Sequence, residues 1–133
     1  MRIKCQREGL SAEQLAALEK LGLDSAPMRM QYSPEVGREY DALALYLSRG
    51  VAWVYFSDEF DRARVAPLCL FDIEDGEVPK SWRVSIQDNG TVVFVAPPEM
   101  SDLYFADDVD EKVPAAYAAW QRALAEARRD RKE

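Results

Sequence analysis

The run Val51-Ala52-Trp53-Val54-Tyr55-Phe56 is apolar at six successive positions. It is dominated by β-branched and aromatic residues and is too short for a typical buried helix. A strand of this kind has to be covered on both faces. It therefore predicts a sheet inside a layered domain, with the remaining elements placed to bury both of its sides. The runs PLCLFDI (67–73) and TVVFVAP (91–97) have the same character.

Other segments alternate with period two. Ile3 and Cys5 stand against Arg2, Lys4 and Gln6; Met28, Met30 and Tyr32 against Arg29 and Gln31; Trp82, Val84 and Ile86 against Arg83, Ser85 and Gln87. Each reads as a strand with one polar face. Asp88-Asn89-Gly90 predicts a tight hairpin to the run 91–97, because Asn-Gly favours positive φ at the central turn positions. EDGEVPK (74–80) reads as a looser hairpin loop between the strands before and after it.

Three segments have helical spacing. Over 11–22, Ser11 and Gln14 form a capping box, Leu10 can staple onto Leu15, and Gly22 supplies a stop. Over 34–48, Ser33 stands as N-cap and Pro34 at the first helical position. Val36, Tyr40, Leu43 and Leu47 then recur at helical steps. From about Asp110 a long helix is predicted, with Pro114 in its first turn and a stripe of Val113, Ala116, Tyr117, Trp120, Leu124 and Ala127. Its basic end suits the negative pole of the helix dipole. SDLYFADD (101–108) reads as a short edge strand or an irregular loop. The predicted order is β-α-β-α-β-β-β-β-α. It implies one α+β domain over 1–133, a mostly antiparallel sheet of five to six strands with three helices on one face. The second face then needs cover from loops, the last helix or a second subunit.

The 133 residues, 48% apolar and 31% charged, suit one globular domain with a core of its own. Cys5 and Cys69 have no metal-ligand or redox spacing and read as reduced core or semi-core thiols. The N-terminal MRIKCQREGL lacks an apolar signal region, and no apolar run approaches the ~20 residues of a membrane helix. The expected compartment is the cytoplasm.

Histidine is absent. That removes the commonest general base, the Ser-His and Cys-His nucleophile pairs, and zinc sites built on imidazole. No glycine-rich phosphate loop or nucleophile elbow is present. In DIEDGE (72–77), Gly76 is fifth rather than sixth and the twelfth residue is Arg83, so an EF-hand is excluded. No enzyme activity and no cofactor are expected.

The net charge of −7 disfavours binding to nucleic acid or anionic lipid. Its distribution is uneven: residues 57–111 carry fourteen acids and four bases, whereas residues 1–56 are balanced and residues 112–133 are net basic. The acid forms three runs near strand ends, DEFD (58–61), DIEDGE (72–77) and ADDVDE (106–111), interleaved with Phe60, Trp82, Tyr104 and Phe105. Acidic loops with aromatics have the composition of a dock for a basic protein, in which charge steers encounter and aromatics hold. The competing reading is a set of solvated loop tips with the aromatics turned inward. The candidate contacts are Asp58, Glu59, Asp61, Asp72, Glu74, Asp75, Tyr104, Asp107, Asp108 and Asp110.

In type, a small acidic α+β domain without catalytic groups resembles the bacterial immunity proteins, which neutralise toxin domains and often cover a basic nuclease with acidic and aromatic side chains. The resemblance is one of composition and carries no residue over. It implies a non-enzymatic inhibitor that occludes a basic partner. The alternatives are a small-ligand- or divalent-metal-binding module with a pocket between helices and sheet, and a structural homodimer joined through an uncovered sheet face.

Overall fold

Burial of β3 (Val51–Ser57) on both faces organises the fold: Val54, Tyr55 and Phe56 are all buried. A computed structural model describes residues 1–6, 34–48, 50–102 and 104–132, together with Ala12, Glu13 and Ala16. In chain order the other strands are β1 (Arg2–Cys5), β2 (Glu39–Ser48), β4 (Ala63–Pro67), β5 (Phe71–Asp75), β6 (Arg83–Gln87) and β7 (Val92–Ala96). Two helices follow, α1 (Phe105–Asp110) and α2 (Pro114–Lys132). Every strand pairing is antiparallel. The α+β class therefore holds, with seven strands among the described residues. The helix expected over 11–22 and the strand expected over 27–33 lie outside the described residues, apart from Ala12, Glu13 and Ala16, which are helical.

The helix expected over 34–48 is instead a turn followed by β2. The reason is a β-bulge. Ala42 opposes Phe56 and Ala44 opposes Tyr55, so Leu43 is an extra residue on β2. Tyr40 and Ala42 pack into one core, Leu43 and Ala44 into the other, and Leu45 returns to the first. The bulge shifts the strand alternation by one residue and leaves apolar side chains at 40, 43 and 47, which imitates a helical stripe. Pro34 and Glu35 belong to the turn before the strand, where Gly37 has φ +86 and donates its amide to the Cys5 carbonyl.

β2 also makes the sheet fork. One edge pairs with β3; the other pairs with β1 along Glu39–Asp41 and with β7 along Leu45–Ser48. β1 continues to β5, and β7 to β6. The run expected as one strand over 67–73 breaks at a 3-10 turn, Leu68–Leu70, into the end of β4 and the start of β5. These consecutive strands stand at opposite ends of the path β4-β3-β2-β1-β5. The Gln6 amide donates to the Leu70 carbonyl at 2.8 Å and helps to tie the turn to β1. Glu74 and Asp75 of EDGEVPK belong to β5, and the rest of it crosses between the two branches of the fork and is not a hairpin loop.

This topology answers what covers the second face. One core holds Ile3, Cys5, Ala42, Val54, Phe56, Ala66, Leu70, Phe71 and Trp82, so the β1–β5 branch and the 3-10 turn close over that side. The other core sets Leu43, Ala44, Tyr55 and Phe94 against Phe105, Val109, Trp120 and Leu124 of the helices.

The β6–β7 hairpin forms as expected. Gln87 pairs with Val92, and Asp88, Asn89 and Gly90 all have positive φ. SDLYFADD is neither edge strand nor loop throughout, since its second half begins α1. The long helix starts at Pro114 and not near Asp110, because a proline without an amide hydrogen fits the first helical position. Ala119 and Ala123 join Trp120 and Leu124 in the buried stripe, and these small residues let α2 lie close to the sheet. Tyr117, expected in the stripe, is exposed. Cys5 is buried as expected, but Cys69 sits exposed on the 3-10 turn.

Ala42→Glu distinguishes the strand from a surface helix. On a helix with the stripe 36-40-43-47 this position lies on the opposite side from the apolar face, and the substitution would cost under ~0.5 kcal/mol. In β2, Ala42 is buried in the core closed by the β1–β5 branch. There the buried carboxylate is expected to cost at least ~4 kcal/mol, measured by urea unfolding.

Candidate interaction groove

The acids that look alike in sequence separate into two groups in space. Asp58, at the end of β3, is the hub of the first. Its Oδ1 accepts the amides of Phe60 and Arg62, both at 2.9 Å. Its Oδ2 accepts Nε of Arg62 at 2.9 Å and Nε of Arg64 at 3.1 Å. Burial pushes the Asp58 pKa up, but the two amides, the Arg62 guanidinium and the Arg64 charge outweigh it and hold the carboxyl below its ordinary value.

Arg64, with a side chain only 10% exposed, reaches Asp110 Oδ2 of α1 at 3.6 Å as well. DEFD and ADDVDE are thus brought together through one guanidinium. Burial, reinforced by the neighbouring Asp107, raises the Asp110 pKa against the pull of Arg64. Asp61, at φ 61, is held twice by α2: its carbonyl accepts Trp120 Nε1 at 2.9 Å, and its carboxylate pairs with Arg128. Glu59 pairs with Arg38 at 3.3 Å. Asp58, Glu59, Asp61 and Asp110 therefore brace the β3–β4 turn against the helices and the start of β2.

Asp72, Glu74, Asp107 and Asp108 make no ion pair among the described residues, and Asp75 accepts only the Glu77 amide at 3.0 Å. Asp72, Glu74 and Asp75 stand exposed on β5, beside β1. Asp107 and Asp108 lie in the first turn of α1, next to the exposed Tyr104, whose amide is held by Asp102 at 2.9 Å. Of the aromatics singled out in sequence, Trp82 and Phe105 are buried, whereas Phe60 and Tyr104 face solvent.

Between the braced turn and the junction of α1 and α2 runs an open groove of about 760 Å³, lined by Phe60, Arg62, Val109, Asp110, Lys112 and Tyr117 among others. Phe60 is 68% exposed and Tyr117 43%. The Arg62 guanidinium lies over the Phe60 ring, 5.0 Å from its centroid. Tyr117 was missed in sequence because it sits at the correct spacing for the buried stripe, one flank away from it. A cleft of about 250 Å³ opens at the fork of the sheet beside Asp41, Asp75 and Trp82, below the usual size of a small-molecule pocket. Among the described residues, no group of three or more Cys, Asp or Glu is placed to hold a metal ion, and no helix is long and apolar enough to cross a membrane. No protein-family model, curated protein or solved structure matches the chain.

Asp58→Asn keeps an oxygen for the two amides but loses the charge that holds Arg62 and Arg64. It is expected to cost about 1–3 kcal/mol in urea unfolding at pH 7. The folded-state pKa is depressed, so the stabilisation from the charge is complete above the ordinary Asp value of ~3.9 and is lost as pH falls through the lower folded value. The gap between wild type and variant should stay constant from pH 7 to about 5 and close in stronger acid.

Proposed function

We propose that the chain is a non-enzymatic protein-binding module that docks a basic partner at the groove between the β3–β4 turn and the helices, and acts by occlusion. The observation that carries this reading is the exposure of Phe60 and Tyr117 on walls that ion pairs tie together. Exposed aromatics at a groove are favourable anchors, because they bury large apolar area when covered. Asp107 and Asp108 on α1 supply acid beside the groove and have no ion-pair partner among the described residues. Charges in such a rim position mainly set association rate and salt dependence.

In this reading the acids of DEFD are a support and not a contact surface. Asp58, Glu59, Asp61 and Asp110 support the dock, and Asp107 and Asp108 meet the partner. Asp72, Glu74 and Asp75 serve instead as charges on β5, an edge strand among the described residues, where they discourage unwanted strand pairing.

The test begins with recovery of a partner by affinity capture at low and high salt, followed by kinetics with the purified pair. Phe60→Ala with Tyr117→Ala is expected to weaken binding by at least tenfold, mostly through faster dissociation, with the melting temperature little changed. Asp107→Asn with Asp108→Asn is expected to slow association severalfold at low salt and to flatten its salt dependence. Unchanged binding in both double variants would sink the assignment.

A further inference from the structure

Among the described residues the sheet has three edge strands, and they are protected differently. β5 carries Asp72, Glu74 and Asp75, while β4 packs beside α1 and ends in Pro67. β6 has neither device. Its outer edge has no strand partner among the described residues, it contains no proline or bulge, and its one charge is Arg83. Val84 is 67% exposed and Ile86 68%. A bare apolar edge of this kind is a template for pairing with another strand.

We infer that β6 pairs antiparallel with β6 of a second copy across a two-fold axis at Ser85. The strand Arg83-Val84-Ser85-Ile86-Gln87 is complementary to itself in that register. Val84 falls opposite Ile86 of the second copy, Arg83 opposite Gln87, and Ser85 opposite Ser85. All five residues are paired and no like charges meet.

The apolar rows of the two copies then join. Within one copy Leu47 pairs with Val93 and Val93 with Ile86, while Leu45 pairs with Val95 and Val95 with Val84. Across the axis, Ile86 of one copy meets Val84 of the other. This gives one continuous row, Leu47-Val93-Ile86 followed by Val84-Val95-Leu45 of the second copy. The interface is isologous, so it closes at two copies and does not propagate. It uses residues outside the groove and stands or falls separately from the proposed dock.

The test is cysteine cross-linking of the full chain with Cys69 replaced by Ser, combined with sedimentation. The unmodified chain is expected to sediment at twice its 15.1 kDa. Ser85→Cys should form a covalent dimer under mild oxidation, because opposed residues of an antiparallel pair have Cα atoms about 4.5–5.5 Å apart, within disulfide reach. Arg83→Cys should not, since two copies of residue 83 would lie roughly 13 Å apart along the strands. Val84→Lys should give a monomer with unchanged near-ultraviolet circular dichroism. A monomer at every concentration would overturn the inference, as would a dimer in which Arg83→Cys cross-links as well as Ser85→Cys.

Discussion

The structure depends on the burial of β2 and β3 from both sides. Apolar side chains on both faces of a strand need two separate coverings, and one chain of this length supplies them by different means. The helices cover one face. The sheet covers the other by forking at β2 and folding its β1–β5 branch over the strands it came from. The bulge at Leu43 makes this possible: it directs Tyr40 and Ala42 toward one core and Leu43 and Ala44 toward the other, and bulges increase local twist. The groove is a consequence, since it lies where the helices on one face meet the β3–β4 turn at the end of the central strand.

The acid in the middle of the chain does two kinds of work. A carboxylate beside a mostly buried guanidinium is held by geometry and fixes the parts around it. Asp58 and Asp110 share Arg64 in this way, and Asp61 ties the same turn to α2. A carboxylate on the first turn of α1, Asp107 or Asp108, has no ion-pair partner among the described residues. Net charge does not distinguish these states, but the placement of the arginines does.

Several elements were legible in the sequence because local signals agreed with the tertiary outcome. β3 announced itself by its apolar run, the β6–β7 hairpin by Asn89-Gly90, and α2 by Trp120 and Leu124 at helical spacing. β2 was misread because a bulge in a doubly buried strand places apolar residues three and four apart. The break between β4 and β5 was hidden because its corner, Leu68-Cys69-Leu70, is itself apolar and carries no turn residue. The local part of the acid network could be seen in DEFDRAR, where Arg62 and Arg64 follow Asp58 closely. Its long-range part, Arg64 to Asp110 and Arg128 to Asp61, depends on packing that no local spacing reveals, and so does the exposure of Tyr117.

Residue-resolved amide hydrogen exchange tests the central role of β2 most directly. Amides in the middle of β2 and β3 should exchange only when the whole domain opens, with protection equal to the global unfolding free energy. Those on β5 should exchange faster through local opening, because it is an edge strand among the described residues and four of its five residues are exposed. If the amides of Ala42 to Leu47 exchange as fast as those of β5, or if their carbon chemical shifts are helical, β2 is not the shared wall of two cores and the forked sheet is wrong.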